Sequence, residues 1–421
     1  MTPSSEVPSI DTNLAAGSTS SVTWRKKFFQ APWGSWLMTF ASLLGCQAVS
    51  ASGLLSTSVV VLQPQGLGLE AANQAFLKGF LLAEDQVRGC GHLAAFVEFR
   101  PLNVDVDPAV VLSGNPRLKL VVAPPAADLR AFSALVAKRD LSVVLPYQRG
   151  ASMDAEAGLE LPTRLWPLVA PASDDIHAMA KKVLEQGWQR VMVVRDPSDL
   201  GLSSAKSFVE AFEAIGGKVE SYEPELVQSI NPDDGDRLKR FQQDVAWLGP
   251  DALVLASSPS GPLAKALRKS QKDGLLGWQT GKPAWVWLAS ADQVKGMGPE
   301  VWDQLLIKRP ASGPGWQKFS ESFEQRWGHT PNLLAAAGFD TARLIALSTI
   351  SANSLSAERT ADPFGWVDSE SEPQPLCKAL RIRADGKQVR LEGAASSFDL
   401  RPGQSPSGET DITRVFALGP G

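Results

Sequence analysis

Short apolar runs alternate with stretches of helical periodicity from about residue 56 onward. The run TSVVVLQPQG is β-branched and ends in Pro and Gly, LEAANQAFLKGFLLAEDQV has apolar residues at helical spacing, and AAFVEFRPL is a second strand-like run. The segments LKLVVAPP, AADLRAFSALVAKRD and LSVVLPY repeat this alternation. Because the strands are almost continuously apolar, we predict parallel strands that helices cover on both faces.

A second series of the same kind begins near residue 173. The segment SDDIHAMAKKVLEQG has the acidic start and glycine end of a helix, and RVMVVRD follows it as a buried strand. The alternation continues through DALVLASS and PLAKALRKSQKDG to AWVWLAS. Two helices and a final hairpin, with turns at Asp385-Gly386 and Arg401-Pro402-Gly403, complete the prediction. The pattern therefore predicts an α/β protein with two doubly wound lobes.

The N-terminal 45 residues have the pattern of an export signal. A polar, Ser/Thr-rich segment precedes the basic residues Arg25, Lys26 and Lys27, and an apolar stretch runs from Trp33 to Leu44. A stretch of about a dozen residues is too short for a permanent transmembrane helix, which needs about 20 residues. We therefore predict that the chain is exported.

The order Leu43-Leu44-Gly45-Cys46 resembles the lipobox of bacterial lipoproteins, in which a peptidase cuts before the cysteine and the cysteine is acylated. The resemblance implies that residues 1–45 are a signal peptide and that 46–55 are a linker behind the lipidated Cys46. A general signal peptide cut near residue 48 or 51, which would discard Cys46, is the alternative. The predicted location is the periplasmic or cell-surface side of a membrane, with a lipid anchor in the first case.

Composition and motifs exclude several functions. The formal net charge is −4 and no basic tract lies beyond the N-terminal tail, so nucleic acid is not an expected partner. The three histidines stand far apart, and we predict no metal and no cofactor. Gly66 and Gly68 open a helix as in a dinucleotide fingerprint, but Glu98 comes late for a ribose ligand. No Gly-x-Ser-x-Gly, P-loop or His-Glu-x-x-His motif is present, so we predict that the protein is not an enzyme.

Export also bears on the two remaining cysteines, Cys90 and Cys377. An oxidising compartment would allow them to form a disulfide. Their wide separation in the sequence leaves this pairing open.

Several segments, taken in order, resemble the type I periplasmic binding proteins, and specifically the branched-chain amino-acid (Leu/Ile/Val)-binding proteins of ABC transporters. These segments are DDIHAMAKKVLEQGWQRVMVVRDPSDLG, FEAIGGKVESYEPEL, GPDALVLASS, FEQRWGHTPNLLAAAGFDTARLIA and GAASSFDLRPG. The fourth is the most diagnostic, because it carries an aromatic-Asp pair inside an Ala-rich helix. The resemblance covers nearly the whole mature chain.

This resemblance implies two doubly wound lobes joined by a hinge that the chain crosses three times. The predicted first lobe consists of residues 56–172 and 287–350. The second lobe spans 173–286, and residues 351–421 form a C-terminal crossover and hairpin.

Ligands of open α/β sheets lie beyond the carboxyl ends of the strands, so the loops there are the predicted lining of a cleft. The predicted ligand-binding residues are Gln65, Ala126, Ala127, Tyr147, Gln148, Ser152, Asp196, Leu200, Ser257, Ser258 and Asp292. Arg149 is a further polar side chain in these loops. For each single residue, capping a turn or facing solvent remains the simpler interpretation.

One loop departs from what an amino-acid ligand requires. In the family's amino-acid binders, the loop after the third strand supplies hydroxyls to the ligand carboxylate, which also needs N–H donors. Here residues 123–128 read Ala-Pro-Pro-Ala-Ala-Asp, which offers no hydroxyl, removes two N–H donors and adds a negative charge. Leu200 stands where the family commonly has a pocket tyrosine. We therefore predict that leucine, isoleucine and valine bind weakly.

The resemblance implies an extracytoplasmic solute-binding component of an ABC transporter, which closes on an amino acid or related small polar ligand and then docks on a membrane permease. A non-transport lipoprotein that uses the same fold as a protein-interaction module is the alternative, since cell-wall-synthase activator lipoproteins resemble this family. The departures at Ala126, Ala127 and Leu200 favour the alternative. The complete two-lobe pattern favours the receptor.

Overall fold

The structure is a computed structural model of the 421-residue chain. It describes residues 58–66, 69–93, 95, 97–103, 105–115, 118–125, 127–149, 164–197, 201–277, 283–290, 304–309, 312–350, 363–401, 404, 406 and 410–415. The predicted signal peptide, the linker and Cys46 lie outside these residues. No helix within the described ranges is both long enough and apolar enough to span a membrane.

The first sheet has five parallel strands in the order β2-β1-β3-β4-β5. Its central strands are buried on both faces because helices pack on each side, as the continuous apolar runs predict. The strands are β1 (Ser58–Gln65), β2 (Val97–Asn103), β3 (Leu118–Val122), β4 (Ser142–Leu145) and β5 (Leu165–Pro167). The helices between them are α1 (Glu70–Gly89), α2 (Pro108–Val111) and α3 (Leu129–Lys138).

The second sheet has the order β12-β11-β10-β9-β6-β7, with β8 also paired to β6 and only β12 antiparallel to its neighbour. Its strands are β6 (Arg190–Arg195), β7 (Lys218–Val219), β8 (Val227–Ser229), β9 (Ala252–Leu255), β10 (Ala284–Ser290), β11 (Leu305–Arg309) and β12 (Asp411–Val415). The helices of this lobe are α4 (Ala172–Glu185), α5 (Leu202–Ala214), α6 (Gly235–Leu248) and α7 (Pro262–Lys272). The prediction of two doubly wound lobes is thus confirmed.

The chain passes between the lobes three times. It enters the second lobe between β5 and α4 and leaves it after β11. Helices α8 (Trp316–Trp327), α9 (Leu333–Thr349) and α10 (Leu376–Ala384) then contribute to the same apolar core as β1. The third crossing leads from this core to β12, at the edge of the second sheet.

Two details differ from the sequence-based boundaries. Strands β10 and β11 belong to the second sheet, so the return to the first lobe comes after Arg309 instead of at residue 287. The predicted C-terminal hairpin contains helix α10, which ends at the predicted Asp385-Gly386 turn, where Gly386 has a φ of +76°. The final strand β12 pairs with β11 rather than with a neighbouring C-terminal strand.

Helices α1 and α9 approach each other through a pair of glycines. A Cβ atom on Gly79 of α1 would lie 1.8 Å from the carbonyl oxygen of Ala335, and one on Gly338 of α9 would lie 2.1 Å from that of Phe76. No side chain fits at either position unless the backbones separate. The two glycines therefore set the distance between these helices in the first-lobe core.

A disulfide joins Cys90, just beyond α1, to Cys377 in α10, with the two Cα atoms 5.2 Å apart. The sequence left this pairing open, and the structure shows it. The bond ties the C-terminal excursion of the chain to the first segment of the first lobe. An oxidising compartment is where such a bond persists.

The Phe339-Asp340 pair of α9 also holds the C-terminal segment. Both carboxylate oxygens of the fully buried Asp340 accept hydrogen bonds from the backbone N–H of Ala394, and one also accepts from that of Ala395, at 2.7–3.0 Å. Burial raises the pKa of Asp340 to about 6, while Arg343 and these N–H groups oppose the rise. The diagnostic sequence pair thus has a structural role, because it fixes the turn at residues 393–396 against α9.

Candidate functional site

Three predicted residues of the first lobe lie at the carboxyl ends of its strands. Gln65 is the exposed last residue of β1. Tyr147 and Gln148 follow β4; Tyr147 is half-buried against the first-lobe core, and Gln148 is buried. Because β1 and β4 flank β3 in the sheet, these three side chains belong to one edge, and we call them the first-lobe edge residues.

In the loop after β3, the structure departs in part from the predicted contribution to a ligand cleft. The side chain of Ala127 packs in the apolar core beneath β3, so it does not line a polar cleft. The carboxylate of Asp128 accepts a hydrogen bond from the backbone N–H of Arg130 at 3.0 Å and caps α3. The charge that Asp128 adds to this loop is therefore held at the N-terminus of its own helix.

Two predicted residues of the second lobe contact each other directly. Asp196 follows β6 and Ser257 follows the adjacent strand β9; the backbone N–H of Asp196 donates to Ser257 Oγ at 2.6 Å. Arg195 Nη1 donates to the carbonyl oxygen of Asp196 at 2.8 Å. These contacts fix the two loops against each other at the carboxyl edge of the sheet.

The chain next to this contact is tightly packed. A Cβ atom on Gly201 would lie 1.8 Å from the carbonyl oxygen of Ala256, so only glycine allows the start of α5 to approach β9 this closely. Ser258 is exposed, and its Oγ lies 3.2 Å from Ser260 Oγ. We call Asp196, Ser257 and Ser258 the second-lobe edge residues, since they concentrate polar groups at one place.

The remaining predicted binding residues have no structural test. They lie outside the part of the chain that the structure describes, and their roles stay predictions. They are Ala126, Ser152, Leu200 and Asp292.

A buried ionic cluster between the lobes was not predicted as such. Asp175, in the first turn of α4, is 1% exposed and pairs with Arg149 from the loop after β4. The hydroxyl of Thr410 donates to Asp175 Oδ1 at 2.6 Å, and Lys308 Nζ lies 3.7 Å from Asp175 Oδ2. The sequence signals were an arginine in a predicted cleft loop and an aspartate at a helix start, and neither indicated the other residues.

Desolvation dominates the electrostatics of this cluster. Burial lowers the pKa of Lys308, and the nearby Asp175 opposes the decrease. Burial and the Asp175 charge both raise the pKa of the neighbouring Asp174. Two largely buried cations, Arg149 and Lys308, therefore both pair with the Asp175 carboxylate.

The model of the periplasmic binding protein family matches residues 115–362, which is more than half of the chain. No curated protein sequence is significantly similar to this chain.

Solved structures show the same fold at low sequence identity. An ABC transporter substrate-binding protein from Sphaerobacter thermophilus is 18% identical with a TM-score of 0.57, covering 86% of this chain and 94% of its own. The substrate-binding protein of Desulfitobacterium hafniense in complex with Leu is 16% identical, with a TM-score of 0.55 and coverages of 85% and 97%. The R. palustris solute-binding protein in complex with benzoate is 14% identical, with a TM-score of 0.55 and coverages of 86% and 93%. With two largely parallel sheets, three crossings and a family match that spans more than half of the chain, the chain belongs to the periplasmic binding protein family.

Proposed function

We propose that this protein is the extracytoplasmic solute-binding component of an ABC transporter and that it holds a small polar ligand between its lobes. The observation that carries this proposal is the position of the first-lobe and second-lobe edge residues. Each set lies at the carboxyl edge of a largely parallel sheet, where ligands of such sheets bind. A ligand in contact with both sets would stabilise a closed arrangement of the lobes.

The edge residues suggest which ligand groups this cleft accepts. Ser257 Oγ accepts a hydrogen bond from the Asp196 N–H, so its own hydrogen can be donated to a ligand oxygen. The Asp196 carboxylate suits an ammonium or amide N–H, and Gln65 and Tyr147 can both donate and accept. We therefore propose an amino acid or a related amide-bearing or amine-bearing solute as the ligand class.

The first lobe argues against branched-chain amino acids as the preferred ligands. Pro124 and Pro125 have no N–H, and the Asp128 carboxylate occupies the cap of α3. The solved relatives include a complex with Leu and one with benzoate. We propose that this chain shares their fold and cleft but holds a carboxylate less well in the loop after β3.

A thermal-shift screen of the exported protein against amino acids, amides, ureas and small peptides tests this function. We expect at least one of these compounds to raise the melting temperature, because a ligand that binds only the folded protein stabilises it. Ser257→Ala should weaken binding of that compound by about 0.5–1.5 kcal/mol, the range for one hydrogen bond. Ser322→Ala is the matched control, since that hydroxyl donates to the backbone carbonyl oxygen of Lys318 within α8.

If none of the compounds in the panel raises the melting temperature, the proposed ligand class is contradicted. Full affinity in Ser257→Ala would show that the ligand lies elsewhere. The non-transport interaction module was the alternative from the sequence, and the three solved relatives, all solute-binding proteins, do not favour it.

We further propose that the mature protein is a lipoprotein anchored through Cys46, on the periplasmic or cell-surface side of a membrane, where it meets its permease. The Leu-Leu-Gly-Cys order supports the anchor. The Cys90–Cys377 disulfide supports the oxidising compartment. Binding and release are the whole of this proposed activity, and no catalytic step is included.

A further inference from the structure

Asp175 and the residues that contact it lie next to all three crossings between the lobes. It lies at the start of α4, directly after the first crossing. Lys308 is the penultimate residue of β11, directly before the second crossing, and Thr410 immediately precedes β12 at the end of the third. One carboxylate thus links three segments that are far apart in the sequence.

Arg149 connects this point to the first lobe. Its Nη2 pairs with Asp175, and its Nη1 donates to the carbonyl oxygen of Ala170, within the first crossing, at 3.0 Å. Among the residues of the described chain that pair with Asp175, Arg149 comes from the first lobe. The Arg149–Asp175 pair therefore spans the two lobes.

Burial makes this pair sensitive to the angle between the lobes. The side chains of Arg149 and Asp175 are 9% and 1% exposed. A rotation that separated them would leave a charged group without its partner where water has little access, which is costly. Hinge angles that preserve the contact are favoured over those that break it.

We propose that Arg149 and Asp175 are positioning residues for lobe closure, and that their buried ion pair restricts the hinge to a narrow range of angles. They act through the crossings and need not touch the ligand. The inference concerns the protein without ligand, so it stands or fails separately from the proposed solute binding.

Distance measurements between spin labels on the two lobes test this inference. Labels at Lys138→Cys in α3 and Lys239→Cys in α6 would occupy exposed positions, in the full exported chain with Cys46→Ser so that only the introduced thiols react. Without ligand, we expect one narrow distance distribution. Arg149→Gln should cause loss of that narrow distribution, and Arg149→Lys, which keeps the charge but has no forked donor, should restore it in part.

Glu220→Gln is the matched control, because Glu220 pairs with Arg190 and Lys218 inside the second lobe. It should lower stability and leave the distance distribution unchanged. If Arg149→Gln does not fold, Arg149→Lys is measured alone, and its distance distribution should be broader than that of the wild type, because lysine keeps the charge without the forked donor. A distribution as narrow as that of the wild type, in whichever of these two variants is measured, would overturn the inference.

Discussion

Glu220 is the acid whose pKa the fold lowers most clearly. Arg190 donates two hydrogen bonds to its carboxylate at 2.7 and 2.8 Å, and Lys218 lies 2.9 Å away. These cations hold the pKa of Glu220 at about 2, below its ordinary value of 4.5. A lowered pKa stabilises the folded protein above the unfolded-state pKa, and this contribution is lost as the pH falls from about 4.5 toward 2.

We predict that Glu220→Gln lowers the free energy of unfolding by about 2 kcal/mol at pH 7, after allowing for the solvent exposure of both cations. Urea denaturation at pH 7 and pH 3 measures the effect, and the difference from the wild type should shrink at the lower pH. Glu185→Gln is the control, because its ion pair with Lys182 is exposed. An equal loss at both pH values would contradict the ionic origin.

The loop after β3 gives a prediction about binding. We expect leucine, isoleucine and valine to bind with a Kd weaker than about 1 mM, equivalent to about 4 kcal/mol of binding free energy. Ala126→Ser should improve this by about 0.5–1.5 kcal/mol, the range for one new hydrogen bond. Ala127→Thr should not, because that side chain packs in the core. Isothermal calorimetry measures these dissociation constants. Micromolar binding of any of the three amino acids by the wild type would contradict the role given to this loop.

Helices α1 and α9 give a prediction at the scale of elements. Gly338→Ala would place a methyl group within 2.1 Å of the Phe76 carbonyl oxygen, so the two helices must separate. We expect a loss of about 1–3 kcal/mol in unfolding free energy, the usual cost of overpacking. Gly89→Ala, at the end of α1 where nothing lies within 4 Å of the new methyl group, is the control. Equal stability of the two variants would mean that the close approach carries no energetic weight.

Sequence periodicity was sufficient for most of the strands and helices, but it did not reveal helix α10 or the sheet to which β10 belongs. The apolar run of β10 has the pattern of any buried strand, and nothing local in it specifies the second sheet. Helix α10 is only nine residues long, so its helical spacing of apolar residues is a weaker signal than the Asp385-Gly386 turn that follows it. The strands and longer helices were predictable because both faces of each sheet are covered.

The residues of the candidate site also include some whose positions the sequence could predict and some whose contacts it could not. The positions of Gln65, Asp196 and Ser257 at or just after strand ends were predictable, because strand ends define the edge of a parallel sheet, and their binding roles stay predictions. Ala127 was placed at the correct loop, but its burial depends on packing that no local pattern reveals. The contacts of Asp175 could not be predicted, since they join residues brought together only by the three crossings.

At the scale of the whole molecule, the proposed lipid anchor at Cys46 gives a prediction about location. Replacement of Cys46 by serine should move the protein from the membrane to a soluble exported fraction, because the acylated thiol is then absent. Cell fractionation measures this, with Ser322→Ala as the control that leaves the lipobox and the disulfide unchanged. Failure of labelled fatty acid to attach to the wild type would contradict the lipoprotein assignment.

Closure of the two lobes on a solute is the central claim of this account. Small-angle scattering of the exported protein, with and without the compound that most raises its melting temperature in the screen, measures it directly. Since a ligand held by both sets of edge residues draws the lobes together, we predict a smaller radius of gyration when the compound is present. Tight binding with an unchanged radius of gyration would contradict the account and indicate a static binding module.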